Sequence, residues 1–243
     1  MAGSAGISSA THIVKKIRSY LRSYRAVRAM GSHGDIEKAL GLVFGSDGGF
    51  LRPLQRPAEI RALLAVVSER KPATIVEIGT ASGGNLFLFT RVAAENALIV
   101  SIDLPAGRFG GGYRYWRIPL YRAFARPGQT VRLIRGDSHA PSTVARLAAI
   151  LKGRKIDFLF VDGDHTYEGV SQDFELYHPL VHPNGLIAFH DIVEHPSESQ
   201  CNVHRFWQQL KPHCRHVEFV EDWKSGFAGI GLITSSNGGV RTS

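Results

Sequence analysis

The 243-residue chain is 44% hydrophobic and 21% charged, the balance of a globular protein with room for one large α/β domain. Its formal net charge of +8 permits attraction to nucleic acid, anionic lipid or an acidic substrate without choosing among them. Two cysteines, Cys201 and Cys214, supply neither a disulfide framework nor zinc spacing, and no apolar run approaches the ~20 residues that span a bilayer. Met1–Ala10 is small and polar rather than a charged stretch followed by an apolar one, so no signal peptide is expected and the setting reads as cytoplasmic.

In chain order, apolar side chains first recur at Ile13, Ile17, Tyr20, Tyr24 and Val27, alternating steps of four and three that draw one stripe along a helix. Lys15, Lys16, Arg18, Arg22, Arg25 and Arg28 surround it. Three readings stand open for this basic arm: packing on the protein's own body or on a second subunit as a homo-oligomer contact, lying on an anionic membrane, or touching nucleic acid. Gly31–Gly34 and Gly45–Gly49 bracket a short helix around Ile36–Leu42. Pro57 opens a stronger helix through Val67, ending before Lys71-Pro72. Residues 1–56 are therefore expected to be an N-terminal helical arm and cap, 57–236 the main domain and 237–243 a disordered tail.

From Ile75 short apolar runs alternate with helical segments: Ile75–Ile78, Leu98–Ile102, Val131–Ile134, Phe158–Val161 and Leu186–Phe189. Runs so continuously apolar suit parallel strands covered on both faces, hence an open, doubly wound α/β sheet. A helix around Val203–Leu210 follows, then runs at Val217–Val220 and Phe227–Ile233. The short turn Glu221–Gly226 predicts that these two pair as an antiparallel hairpin closing the sheet.

Ligands in such sheets bind beyond the carboxyl ends of the strands, so the polar residues there are the candidates. The first strand runs into Glu77-Ile78-Gly79-Thr80-Ala81-Ser82-Gly83-Gly84, a strand, glycine turn and helix start that present backbone N–H groups to a nucleotide-like ligand. Its glycines are not spaced G-x-G-x-x-G, and the acid Glu77 argues against a pyrophosphate and for a ligand with a cationic end. Gly79, Ser82 and Gly83 are thus candidate cradle residues. Asp103, ending the second strand, suits a ribose diol, since a carboxylate accepts through two oxygens. Asp137, with Ser138 beside it after the third strand, suits an exocyclic amine such as adenine's. An adenosine ligand with a positive centre, S-adenosylmethionine, meets these acids better than NAD does.

The fourth run ends in Asp162-Gly163-Asp164-His165-Thr166-Tyr167 and the fifth in His190-Asp191. Such a set of oxygen and imidazole donors suits a hard cation, Mg²⁺ or Mn²⁺, that also holds substrate oxygens. The alternative is that the acids cap turns and the histidines satisfy local backbone groups. Between the second and third strands, Gly107–Arg117 combines a glycine hinge with Tyr113, Tyr115 and Trp116, aromatics able to stack on a sugar or a base. Their alternation with arginines also fits single-stranded nucleic acid.

Together, Val-Glu-Ile-Gly-Thr-Ala-Ser-Gly-Gly, Ile-Asp-Leu-Pro, Gly-Asp-Ser-His, Phe-Val-Asp-Gly-Asp-His-Thr-Tyr-Glu-Gly-Val and Gly-Leu-Ile-Ala-Phe-His-Asp resemble the class I S-adenosylmethionine-dependent methyltransferases. More narrowly, they are similar to the branch related to cephalosporin hydroxylases and macrolide sugar O-methyltransferases. The likeness covers roughly Pro57 to Ile233. It implies a Rossmann-like methyltransferase fold, a mostly parallel seven-stranded sheet closed by an antiparallel C-terminal hairpin. In metal-dependent relatives the aspartate of the fourth strand binds the metal, which implies Asp162 here. Two further ligands follow the fifth strand, His190 and Asp191 in this chain, with His190 a departure from the usual acid. The resemblance also makes His165 a candidate base, with Asp162 beside it in catalysis and in the donor site. Tyr167 and His190 join Tyr113 and Trp116 as candidate contacts for the acceptor.

The expected activity is divalent-metal-assisted O-methyl transfer to a hydroxyl of a sugar or another polyhydroxylated small metabolite. An RNA methyltransferase is the competing reading, although the Asn-Pro-Pro-Tyr type signature for base amines is absent. A non-enzymatic adenosyl-ligand sensor docked through the basic arm is the third.

Overall fold

A computed structural model describes residues 4–30, 35–45, 51–107, 109 and 114–235, without the side chains of 4–13 and 16. The expectations for Tyr113, Gly31–Gly34, most of Gly45–Gly49, the Ile13 side chain and the tail 237–243 lie outside the described residues.

The elements in chain order are α1 (Ser4–Ala29), α2 (Ile36–Phe44), α3 (Pro57–Arg70), β1 (Thr74–Ile78), α4 (Gly84–Val92) and β2 (Leu98–Asp103). Then come α5 (Ile118–Arg122), β3 (Thr130–Arg135), α6 (Pro141–Leu151), β4 (Ile156–Val161), α7 (Tyr167–Tyr177), β5 (Val181–His190), α8 (Val203–Leu210), β6 (His216–Phe219) and β7 (Ile230–Thr234). Seven strands form one sheet in the order β3-β2-β1-β4-β5-β7-β6. The first five are parallel, and β7 runs antiparallel to both β5 and β6. The doubly wound sheet with a closing hairpin is therefore the observed architecture. Among the described residues no helix is long and apolar enough to cross a membrane.

Every residue of β1 and β2 is buried, which explains their unbroken apolar character. Side chains alternate across the sheet with the strand period of two. In β4, Phe158 and Phe160 enter the cluster under α2, α3 and α4, while Leu159 and Val161 enter the one under α6, α7 and α8. Helix α4 is buried on all sides, being covered in turn by α2 and Leu51. Ala39, Leu40, Val43 and Leu51 lie in the same apolar cluster as the strands. The expected boundary at residue 57 therefore cuts through a single core.

Two expectations need correction. The apolar stripe of α1 meets the body only from Tyr20 onward: Tyr20, Tyr24 and Val27 pack on the core, whereas Ile17 is 53% exposed. Nor is the last hairpin joined by a short turn, because β6 ends at Phe219 and β7 starts at Ile230. Ala228 (φ +70°) and Gly229 (φ +85°) hold left-handed conformations that an extended strand cannot contain, so Phe227 belongs to the connection. The buried Glu59 of α3 anchors that connection: its Oε1 accepts from Glu221 N and its Oε2 from Gly229 N, both at 2.9 Å. Replacing Glu59 with Ala leaves both N–H groups without their acceptors and is expected to lower stability by about 3 kcal/mol, read from denaturant unfolding. Glu59→Gln, which keeps one acceptor, should lose less.

Candidate functional site

The glycine turn after β1 is built by close backbone contact. Gly79 has φ +87°, and a Cβ on it would stand 1.8 Å from the carbonyl oxygen of Asp162, so only glycine lets the ends of β1 and β4 approach this closely. The carboxylate of Asp103 fastens the turn from β2, its Oδ2 accepting from Thr80 N at 3.0 Å and Ala81 N at 2.8 Å. A two-oxygen grip on a ribose diol would have to displace one of these. Ser82 Oγ donates to Arg52 O at 3.0 Å and Leu51 O at 3.2 Å, tying the turn to the segment before α3. Gly83, also at φ +87°, leaves room for the ring of Tyr121, whose hydroxyl donates to Ala81 O at 2.9 Å.

Glu77 lies wholly buried behind this turn, and neither of its oxygens completes a hydrogen bond of ordinary geometry. Burial pushes its pKa well above the usual carboxylate range; the Thr80 hydroxyl opposes the shift, and the charges of Asp162 and Asp103 add to it.

Beyond the strand ends opens a cavity of about 590 Å³, within the usual range for small-molecule sites. Gly79, Ser82, Asp103, Asp137, Ser138, Asp162, His165, His190 and Asp191 line it together. Glu77 and Gly83 stand behind its wall. The turn carrying Asp137 and Ser138 is braced from α7, where the Tyr177 hydroxyl donates to Ser138 O at 2.7 Å and Asp173 Oδ1 lies 3.2 Å from His139 Nε2.

Two expected acceptor contacts are directed elsewhere. Tyr167 opens α7, whose N-cap Thr166 accepts from Gly169 N at 3.0 Å, and this turns the ring onto α8. There it packs edge-on against Phe206 and its hydroxyl donates to Gln209 at 2.5 Å. Trp116 packs edge-on against Tyr20 of α1 at 5.4 Å between ring centres, away from the cavity. Asp164 caps its own turn, Oδ1 accepting from Thr166 N at 2.9 Å.

At the far end of the cavity, Asp162 and Asp191 face three imidazoles. His190 Nδ1 lies 3.1 Å from Asp162 Oδ1 and 3.2 Å from Asp191 Oδ1. His165 Nδ1 is 2.9 Å from Asp191 Oδ2, with Nε2 3.6 Å from Asp162 Oδ1. His195 Nε2 lies 3.1 Å from Asp191 Oδ1. Asp191 itself adopts φ +62°, a conformation rare outside glycine and common at functional sites. Burial opposes a charge on Asp191, but the imidazoles of His190, His165 and His195 outweigh it and hold the carboxyl well below its ordinary value. Burial likewise opposes charge on His165, yet hydrogen bonds to Asp191 and Cys201 and the Asp162 charge push it up to about 10. His190 is raised in the same way, against burial, by Asp191 and Asp162.

These donors fit a divalent cation. Ligand atoms of Asp162, His190 and Asp191 lie within 4.8 Å of one another, and the buried Nε2 of His190 has no hydrogen-bond partner. The cradle likewise fits a donor with a cationic end, because Glu77 is a buried acid with no cation beside it in its hydrogen-bond environment.

Several members of the site were not legible beforehand. Gln55 Nε2 donates to Asp162 Oδ2 at 2.7 Å from a segment that carries no motif. His195 and Cys201 reach the cluster from the loop after β5, and Phe109 stacks on His165 at 4.9 Å. The spacing Asp191-x₃-His195-x₅-Cys201 was the available signal, and it matches no common metal pattern.

Residues 76–192 match a family model described as a methyltransferase domain. Among curated relatives, the uncharacterized protein R132 of Acanthamoeba polyphaga mimivirus is 34% identical over 132 residues, covering 54% of this chain and 57% of that protein. The uncharacterized protein y4gI of Sinorhizobium fredii is 29% identical over 148 residues, covering 60% of this chain and 16% of that one. The chain thus spans less than two thirds of either relative. Two solved structures share its fold. An O-methyltransferase from Bacillus cereus in complex with SAH has a TM-score of 0.56 at 17% identity, with 82% of this chain and 90% of that one covered. TomG, an O-methyltransferase from Streptomyces achromogenes in complex with SAM, has a TM-score of 0.52 at 16% identity, with 83% and 89% covered. Sheet order and matched segment agree: residues 76–192 match a methyltransferase-domain model, and the chain has the fold of these two O-methyltransferases.

Proposed function

We propose that the protein is an S-adenosylmethionine-dependent O-methyltransferase acting on a hydroxyl of a sugar or another polyhydroxylated small metabolite. One observation carries this reading: a single cavity joins a glycine turn over the buried Glu77 to the carboxylate–imidazole cluster around Asp162 and Asp191. S-adenosylmethionine, when bound, supplies an electrophilic methyl group on a sulfonium centre. Glu77 supplies the negative charge that a cationic donor requires, and Gly79 lets its backbone approach closely. Asp137 and Ser138 stand at the third strand's end, at the position suited to the adenine.

At the other end, Asp162 and Asp191 orient the acceptor hydroxyl, so that oxygen, methyl and sulfur stand in line. His165 is the assigned proton acceptor, and that role needs its neutral ring. With only protein groups balancing Asp162 and Asp191, His165 is held protonated, up to about 10. Asp162, His190 and Asp191 would hold a divalent cation, Mg²⁺ or Mn²⁺, which when bound would supply replacement positive charge and Lewis acidity toward the hydroxyl. Gln55 fixes the rotamer of Asp162 throughout.

A small acceptor is favoured over RNA by the aromatic residues. Trp116 is engaged with Tyr20, and Tyr115 lies under Arg135, whose guanidinium carbon is 3.7 Å from the ring centre. Neither forms part of the cavity lining, so the described part of the arginine–aromatic alternation at 114–117 does not lead into it. TomG, described as involved in tomaymycin synthesis, is a neighbour consistent with a small acceptor. The arm's exposed Val14, Ile17 and Leu21 are assigned to a homo-oligomer contact.

Calorimetry with S-adenosylhomocysteine tests the donor site: the protein should bind it and ignore NAD, and Asp103→Ala should weaken binding roughly 10- to 100-fold. Unchanged affinity in both Asp103→Ala and Glu77→Gln would overturn the assignment. Screening hydroxylated metabolites with labelled methyl donor identifies the acceptor, and turnover should then fall in EDTA and return with Mg²⁺ or Mn²⁺. Full activity in chelator would remove the cation from the mechanism. Deleting residues 1–30 should lower the number of chains per particle in solution; an unchanged assembly state would overturn the homo-oligomer contact.

A further inference from the structure

The carboxylate–imidazole cluster has a second corner whose thiol the methyl-transfer reading does not use. Cys201, almost fully buried, lines the same cavity from the loop after β5. Ligand atoms of His165, Asp191 and Cys201 lie within 4.8 Å of one another. The imidazoles of His165 and His195 both stand near enough to the thiol to lower its pKa. His195 in turn holds Asp191 Oδ1 at 3.1 Å.

The backbone keeps this corner assembled. Asn202 N donates to His165 O at 2.7 Å, which clamps the residue after Cys201 onto the β4 loop. Cys201 N donates to Ser199 Oγ at 3.1 Å. On the other side, Val193 N donates to Ala228 O at 3.1 Å, fixing the chain just after Asp191. The loops after β4 and β5 thus meet at the thiol.

The donor chemistry of this corner differs from that of its neighbour. One thiol sulfur, one imidazole nitrogen and one carboxylate oxygen are a three-ligand set for a borderline cation, with a fourth position open to the cavity. Thiolate selects for zinc and related transition ions, whereas Mg²⁺ and Mn²⁺ prefer the oxygen-rich side at Asp162. The nearby imidazoles draw the Cys201 thiol below its ordinary pKa against the effect of burial, which agrees with a sulfur prepared to bind as thiolate.

We propose that His165, Asp191 and Cys201 form a binding site for a divalent cation of the zinc class, and that its occupancy inhibits methyl transfer by engaging His165. Binding sends the thiol proton and one proton of the His165 imidazolium to solvent, and the freed imidazole nitrogen is then occupied. Asp191 belongs to both corners, so the soft cation also draws it from the hard-cation side. The inhibition rests on the proposed role of His165; the binding does not.

Cobalt(II) provides the test, since a thiolate–cobalt bond gives a charge-transfer band in the near ultraviolet. The chelator-treated full chain should develop this band at one equivalent, lose it to added Zn²⁺ and keep it in excess Mg²⁺. Cys201→Ser and Cys201→Ala should abolish the band, and Cys214→Ser should retain it. His195→Ala, which removes a supporting contact, should weaken cobalt binding about 10- to 100-fold. No band in the wild-type chain, or a band that follows Cys214, overturns the site whatever the variants do. S-adenosylhomocysteine binding measured on the same samples separates the two readings: binding without the band sinks only the thiolate site. A band without binding sinks only the donor reading, and a band with undiminished turnover in Zn²⁺ sinks the inhibition.

Discussion

The molecule depends on one close approach. The carbonyl of Asp162 lies where the side chain of residue 79 would be, so the carboxyl ends of β1 and β4 pinch together. Gly79 N bonds Ile102 O at 2.9 Å and Asp162 N bonds Ile78 O at 2.8 Å, so the three central strands end in register around the turn. That pinch holds the donor cradle on one side and the acid of the fourth strand on the other. The glycine turn and the carboxylate–imidazole cluster therefore meet at one backbone junction.

Charge is the second constraint. Asp103, Asp162 and Asp191 line one cavity with Glu77 buried behind its wall, and buried carboxylates require compensation. At the cluster end the protein supplies it with His165, His190 and His195. At the cradle end it supplies none to Glu77, whose pKa rises instead. On the proposed reading this asymmetry would orient the donor, with its cationic centre over the first strand and the hydroxyl-bearing partner near the imidazoles.

The parallel strands were legible because their residues are buried on both faces, which leaves continuous apolar runs such as Leu98–Ile102. The strand-end acids were legible because a parallel sheet places each of them at the same edge. What could not be read was contact across distance. Trp116 stood in a glycine- and arginine-rich stretch that suggested a cover, but Tyr20 of α1 offers its ring a nearer apolar partner. Tyr167 sat inside the strongest motif, yet a helix N-cap rotates it onto α8. The connection before β7 looked like a turn because nothing in Glu221–Gly226 reveals that Glu59, far earlier in the chain, binds its backbone.

The sequence by itself determined the layer architecture, the glycine turn and the order of the acids along the edge of the sheet, since these follow from periodicity, from glycine's access to positive φ and from strand polarity. Only the tertiary structure decided which side chains complete the site. Gln55, His195 and Cys201 come from segments with no pattern of their own, brought to Asp162 and Asp191 by loop paths that local residues do not specify. Burial made the same decision for charge: the protonation of His165 and the raised pKa of Glu77 arise from neighbours distant in the chain and close in space.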